Sequence, residues 1–155
     1  MAATKDINEV DLLFNLKNRL NLDKTFTNVG PTLIIVNPFK NIAGEYGPEK
    51  IEYFLDKHEK ENPLLREKIT EPHLYDSVLI AIREVLKSNP KNQAIIVSGE
   101  SGAGKTVATK NSMQCITYYF SKLKKKKESR ESVIYTGKLD NMVIKDQNPL
   151  EKKNT

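Results

Sequence analysis

The sequence predicts an α/β protein of the P-loop NTPase type, an incomplete sheet flanked by helices. Three observations predict it. Two short runs rich in β-branched residues, TLIIV at 32–36 and QAIIVS at 93–98, read as buried strands. Several longer segments carry apolar residues at steps of three and four, the signature of helices with one buried face. The second run leads directly into GESGAGKT at 99–106, which matches G-x-x-x-x-G-K-[ST] at every fixed position. At 155 residues the chain can form one folding unit, or part of a larger one.

The elements follow in order. Residues 7–20 place Val10, Leu13, Phe14, Leu16 and Leu20 at helical spacing. Residues 21–30 are polar and end in the turn signal Val29-Gly30-Pro31. The strand at 32–36 closes at Asn37-Pro38, because proline has no N–H to extend a ladder. After a loop through Gly44 and Gly47, Pro48 opens a helix to about Lys60, since the first helical position needs no N–H. Pro72 likewise starts a helix with Leu74, Val78, Ile82, Val85 and Leu86 on one stripe, ending near Ser88-Asn89-Pro90. From Gly104 a further helix runs through Ala108, Cys115, Ile116, Tyr119 and Phe120, with Tyr118, Tyr119 and Phe120 as core anchors. The lysine-rich stretch then predicts a basic surface loop over 122–137, before a short helix at 139–145.

Charge narrows the function classes. The net charge is +5, yet residues 1–121 are neutral and the whole excess lies in 122–155. No aromatic residues interleave those lysines to stack bases, and Glu128 and Glu131 dilute them, so a solvated loop is favoured over a nucleic-acid surface. The longest apolar runs are far too short for membrane insertion, and the N-terminus lacks the apolar stretch of a signal peptide, which predicts an intracellular protein. The single cysteine, Cys115, excludes an internal disulfide and reads as a small buried hydrophobe. His58 and His73 lack partners at ligand spacing and read as surface or capping residues.

The residue types of the loop explain its chemistry. Gly99, Gly102 and Gly104 permit backbone angles that turn successive N–H groups toward a phosphate, and the following helix adds the positive end of its dipole. Lys105 reaches the β and γ phosphates as a point charge, and the Thr106 hydroxyl ligates Mg²⁺. No residue stands out as a Mg²⁺-holding aspartate, a water-orienting group or an arginine finger, so no catalytic residue is nominated. The loop also comes late, behind 98 residues, which argues against a small P-loop nucleotide kinase, the alternative reading.

GESGAGKT resembles the phosphate loop of myosin heads, and the landmarks around it resemble theirs in the same order over about residues 22–151. VGPTLIIVNPFK is similar to the strand and turn by which myosins contact adenine; EPHLYDSVLIAIREVL to the helix before the phosphate strand; TKNSMQCITYYF to the helix after the loop; and GKLDNMVIKDQNPLE to the segment leading toward switch I. The resemblance implies ATP and Mg²⁺ as cofactors, held by Gly99, Glu100, Ser101, Gly102, Ala103, Gly104, Lys105 and Thr106, with Thr106 as the metal ligand. It implies that Asn37 and Lys40 belong to the purine pocket, with Pro38 and Phe39 shaping the turn. The chain departs from the family at Val107 and Ala108, where a glutamate and an asparagine are usual, and at NIAGEY, one residue longer than the family turn. The whole chain, 1–155, is then expected to be one partial motor domain of a cytoplasmic, cytoskeletal actin motor. Switch I, switch II and the actin-binding region are expected to be missing from it. Such a piece would bind Mg-ATP without efficient hydrolysis or force of its own, and a truncated, non-functional gene product is the further alternative.

Overall fold

The computed structural model describes residues 8–60, 71–89 and 92–145. In chain order they form α1 (Glu9–Leu20), β1 (Phe26–Val29), β2 (Thr32–Ile35), α2 (Pro48–Lys60), α3 (Leu74–Val85) and α4 (Lys105–Lys145). This is a mixed α/β arrangement of four helices and one small antiparallel sheet among the described residues. The chain divides into two compact units, Met1–Tyr118 and Tyr119–Thr155, and α4 runs from one into the other.

Helix α1 begins where expected because Asn8 caps it, its side-chain oxygen accepting from the Asp11 N–H at 2.8 Å. None of its residues is buried; Val10, Leu13 and Phe14 are all exposed. Its far end is fixed by Arg19, whose Nη2 donates to the Phe26 carbonyl at 2.7 Å.

The sheet differs from expectation. Strand β2 pairs antiparallel with β1, Val29 opposite Thr32 and Phe26 opposite Ile35, so FTNV inside a segment read as polar loop is a strand. Gly30 and Pro31 make the two-residue connection: Gly30 takes φ +56°, and proline fixes a negative φ after it, the sign pattern of a type II′ turn. A two-stranded hairpin leaves one face toward solvent, and β2 is accordingly half-buried rather than buried.

The second expected strand is absent as a ladder. Residues 92–100 are exposed, Ile96 being 87% exposed, and the sheet among the described residues consists of β1 and β2 alone. A β-branched run becomes a strand only when a neighbour takes up its N–H and C=O groups, and β1 and β2 pair with each other.

Helices α2 and α3 form the centre of the first unit. The two helices are in contact, and Ile51, Phe54 and Leu55 of α2 and Tyr75, Val78, Leu79 and Ile82 of α3 are buried, while Leu74 packs with Phe26 and Ala108. Pro48 opens α2 as predicted, whereas α3 starts at Leu74 with His73, not Pro72, at its N-cap. Pro90, read as a stop signal, and the tail EKKNT lie outside the described residues. At the start of α4, Ala108 packs with Phe26 and Leu74, Cys115 is fully buried, and the Tyr118 hydroxyl donates to Glu52 at 2.6 Å.

The lysine stretch expected to be a loop is helical, because α4 continues unbroken to Lys145. Lysine and glutamate are good helix formers, and Lys124 and Glu128 stand one turn apart, 3.9 Å between charged atoms. In the second unit the Tyr119 and Phe120 rings meet edge to face at 5.5 Å, but Phe120 is exposed rather than a core anchor.

Candidate phosphate-binding site

Residues 99–104 form an open turn that ends at the first residue of α4. Gly102 and Gly104 take φ +79° and +96°, angles that L side chains rarely adopt. A Cβ at Gly99 would come within 3.1 Å of the Ala103 Cβ, so the loop closes on itself where a side chain would prop it open. The turn is held by the Ala103 N–H donating to the Glu100 carbonyl at 3.2 Å.

The first bond of α4 runs from the Ala108 N–H to the Gly104 carbonyl at 3.0 Å. The N–H groups of Lys105, Thr106 and Val107 precede it and have no partner inside the helix, which leaves them to an anion at the positive end of the dipole. The Lys105 ammonium folds back over the loop and donates to the carbonyls of Gly99 and Glu100, both at 2.7 Å. That places a cation at the mouth of the turn. Glu100, Ser101, Gly102 and Thr106 are exposed, while Ala103, Gly104 and Lys105 are half-buried. The residues present therefore fit a phosphate chain: a glycine turn, free helix-end donors and one lysine. Among the described residues no three His, Cys, Asp or Glu gather to hold a metal.

The turn at 37–40 lies against this loop. Asn37 Nδ2 donates to the Gly102 carbonyl at 2.7 Å, and its Oδ1 accepts from the Phe39 N–H at 3.0 Å. Phe39 sits at φ +50° and is 85% exposed, so it packs into no core. Lys40 pairs with Asp23 at 2.5 Å on the surface. The resemblance assigns Asn37 and Lys40 to a purine pocket; their partners here are Gly102 and Asp23, which the sequence did not indicate. An Asn-Pro-aromatic turn does carry the first half of the signal, because asparagine side chains bond their own backbone two residues on.

The two histidines are both buried. His73 caps α3, with Nδ1 accepting from the Tyr75 N–H at 3.0 Å and Nε2 donating to the Glu45 carbonyl at 2.9 Å. These bonds use the neutral ring. Burial pushes its pKa down to about 4, with Lys50 adding to the depression and the Glu45 carbonyl, Glu71 and Asp76 opposing it. His58, expected as a surface or capping residue, is neither: it donates from Nε2 to Asp76 at 2.6 Å inside the α2–α3 contact. Cys115 is fully buried, and that burial raises its thiol pKa to about 12, so it is an inert hydrophobe. A cavity of about 550 Å³ lies between the end of α1, β1 and α2, lined by Arg19, Lys24, Glu45, Lys50, Tyr53 and Lys57 among others. No residue of the phosphate loop lines it.

Comparison with known proteins fits the landmarks to one family. The sequence matches the family described as Myosin head (motor domain) over residues 1–151. It is 42% identical over 114 residues to the high molecular weight form of myosin-1 of Acanthamoeba castellanii, a match covering 74% of this chain and 6% of that protein. It is 39% identical over 144 residues to the myosin IB heavy chain of Dictyostelium discoideum, covering 93% of this chain and 11% of that one. It is 35% identical over 133 residues to human unconventional myosin-XV, covering 86% and 3% respectively. The chain thus spans a small part of the length of these relatives.

Proposed function

The chain belongs to the myosin head family, and from that premise we propose that it is the Mg-ATP-binding, N-terminal part of an actin-based cytoskeletal motor head. The P-loop type of fold belongs to this reading. What carries it is the turn at 99–104, where glycines at left-handed angles lead into a helix whose first N–H groups lack helical partners and whose first residue, Lys105, folds its ammonium back over the turn. That arrangement is built for a polyanion rather than for a neutral ligand.

In this reading the N–H groups at the start of α4 hold the phosphate chain. Lys105 exchanges its two loop carbonyls for phosphate oxygens. The hydroxyl of Thr106, an exposed residue on the first turn of α4, would hold a bound Mg²⁺. Bound Mg²⁺ supplies neutralisation of the phosphate charge. The work assigned to these residues is binding and orientation, and hydrolysis is assigned to none of them. Actin is the partner proposed for the complete motor, with the cytoplasmic cytoskeleton as its setting. Among the described residues no helix is long and apolar enough to cross a membrane.

Titration of the 155-residue chain with fluorescently labelled ATP tests this. Saturable binding that requires Mg²⁺ is expected, weakened at least about tenfold by Lys105→Ala, the worth of one charge-assisted hydrogen bond. A chain that is folded by circular dichroism yet binds no ATP overturns the proposal.

A further inference from the structure

We propose that Asn37 is a positioning residue that clips the turn at 37–40 to the phosphate loop, setting the loop's shape instead of reading a base. The inference rests on the phosphate-binding reading of residues 99–106 and adds a specific part to it.

The Asn37 side chain is engaged at both ends. Its Oδ1 holds the Phe39 N–H, which supports Phe39 at φ +50°, a conformation that non-glycine residues disfavour. Its Nδ2 spends a donor on the Gly102 carbonyl, 65 residues away. The backbone runs close beside it: a Cβ on Gly104 would lie 3.8 Å from the Asn37 Cβ.

The consequence lies in the peptide geometry. A peptide plane whose C=O is held on one side must point its N–H to the other. Fixing the Gly102 carbonyl on Asn37 therefore fixes the direction of the Ala103 N–H, which closes the turn on Glu100. Gly102 and Gly104 are free to adopt many other angles, and a loop with that freedom loses entropy on ordering around a ligand. A bond from outside the loop reduces that loss before any ligand arrives. Strain at Phe39 and order at Gly102 thus share one amide, and sheet strand β2, which leads into the turn, is the support for both.

Two variants separate the clip from the turn. In Asn37→Ser the hydroxyl can still accept from the Phe39 N–H but is too short to reach Gly102. In Asn37→Asp the acceptor also remains, while a carboxylate faces the Gly102 carbonyl. Each is titrated, beside the unaltered chain, with Mg-ATP, Mg-GTP and magnesium tripolyphosphate, which has no base. The clip predicts that Asn37→Ser weakens all three by the same factor, about three- to tenfold for one lost hydrogen bond, with Asn37→Asp weakening them further. Loss confined to ATP, with tripolyphosphate unchanged, overturns the clip in favour of base contact. No change in any ligand also overturns it. If the unaltered chain binds none of the three, the functional reading fails separately, and amide hydrogen exchange decides the clip. Faster exchange at Ala103 in Asn37→Ser supports it, and an unchanged rate overturns it.

Discussion

The α2–α3 pair and the segment 92–104 belong to the same compact unit and are held by different physics. Between the helices, Phe54, Tyr75 and Val78 are fully buried, the His73 ring stacks on Phe54 at 4.7 Å, and His58 and Asp76 form a buried hydrogen bond. The segment before α4 buries none of its residues; it is shaped by glycine angles, one internal turn bond and the amide of Asn37. The difference separates stability from binding. A packed centre carries the free energy of folding, while a loop that must open to a ligand draws on low-cost contacts that a phosphate can replace.

The largest effect should come from the packed side. Phe54→Ala empties a site that touches His73 and Tyr53 and is expected to cost about 3–5 kcal/mol in urea unfolding. Such a loss approaches the whole stability of many domains, so Phe54→Leu provides the graded comparison at about 1 kcal/mol. A cost for Phe54→Ala below about 1 kcal/mol would mean that the α2–α3 centre is not where the unit is held together.

Acid should act on the same centre through His73. Its pKa is about 4 in the fold against 6.5 ordinarily, so between those values the unfolded chain binds a proton that the native chain refuses. Stability is then full above pH 6.5 and falls as the pH drops toward 4, by about 3 kcal/mol from this group alone. His73→Asn keeps an oxygen at the N-cap and removes the titration. The variant should be less stable at neutral pH, since it loses ring contacts to Phe26 and Tyr75, but its urea midpoint should vary less between pH 7 and 4. Equal pH slopes in the two proteins would show that the ring is protonated in the fold or solvated.

How much of this was legible in the sequence depends on the distance over which each element is specified. Helices α1, α2 and α3 are marked by their own apolar spacing, and the start of α2 by Pro48, while the caps Asn8 and His73 emerge only in the structure. GESGAGKT is equally local, and its glycine angles and Lys105 at the helix start follow from the motif. The hairpin was half legible: TLII is rich in β-branched residues, whereas FTNV is four residues in polar surroundings and becomes a strand only through β2. The run at 93–98 misled in the opposite direction, since composition supplies a strand's side chains but not its neighbour. Lysines 124–127 carry the charge of a solvated loop yet lie within α4, because lysine costs a helix little. Contacts between distant positions stayed hidden, above all Asn37 with Gly102 and His58 with Asp76, because no periodicity links residues 65 or 18 apart.

The smallest expected effect tests the other half of the contrast. Ile96 stands 87% exposed in the middle of the run that resembles a buried strand, so it has no apolar contact to lose on truncation. Ile96→Ala should shift stability by no more than about 0.5 kcal/mol, the range of surface substitutions, and should leave the affinity for tripolyphosphate unchanged. Measured by urea unfolding beside Phe54→Ala, the pair sets the two ends of one scale. A cost of 2 kcal/mol or more at Ile96, in the range of about 2–5 kcal/mol for a buried isoleucine, would mean that residues 93–98 are covered in solution. The phosphate loop would then rest on a packed strand, and the Asn37 amide would be one support among several rather than the contact that orders it.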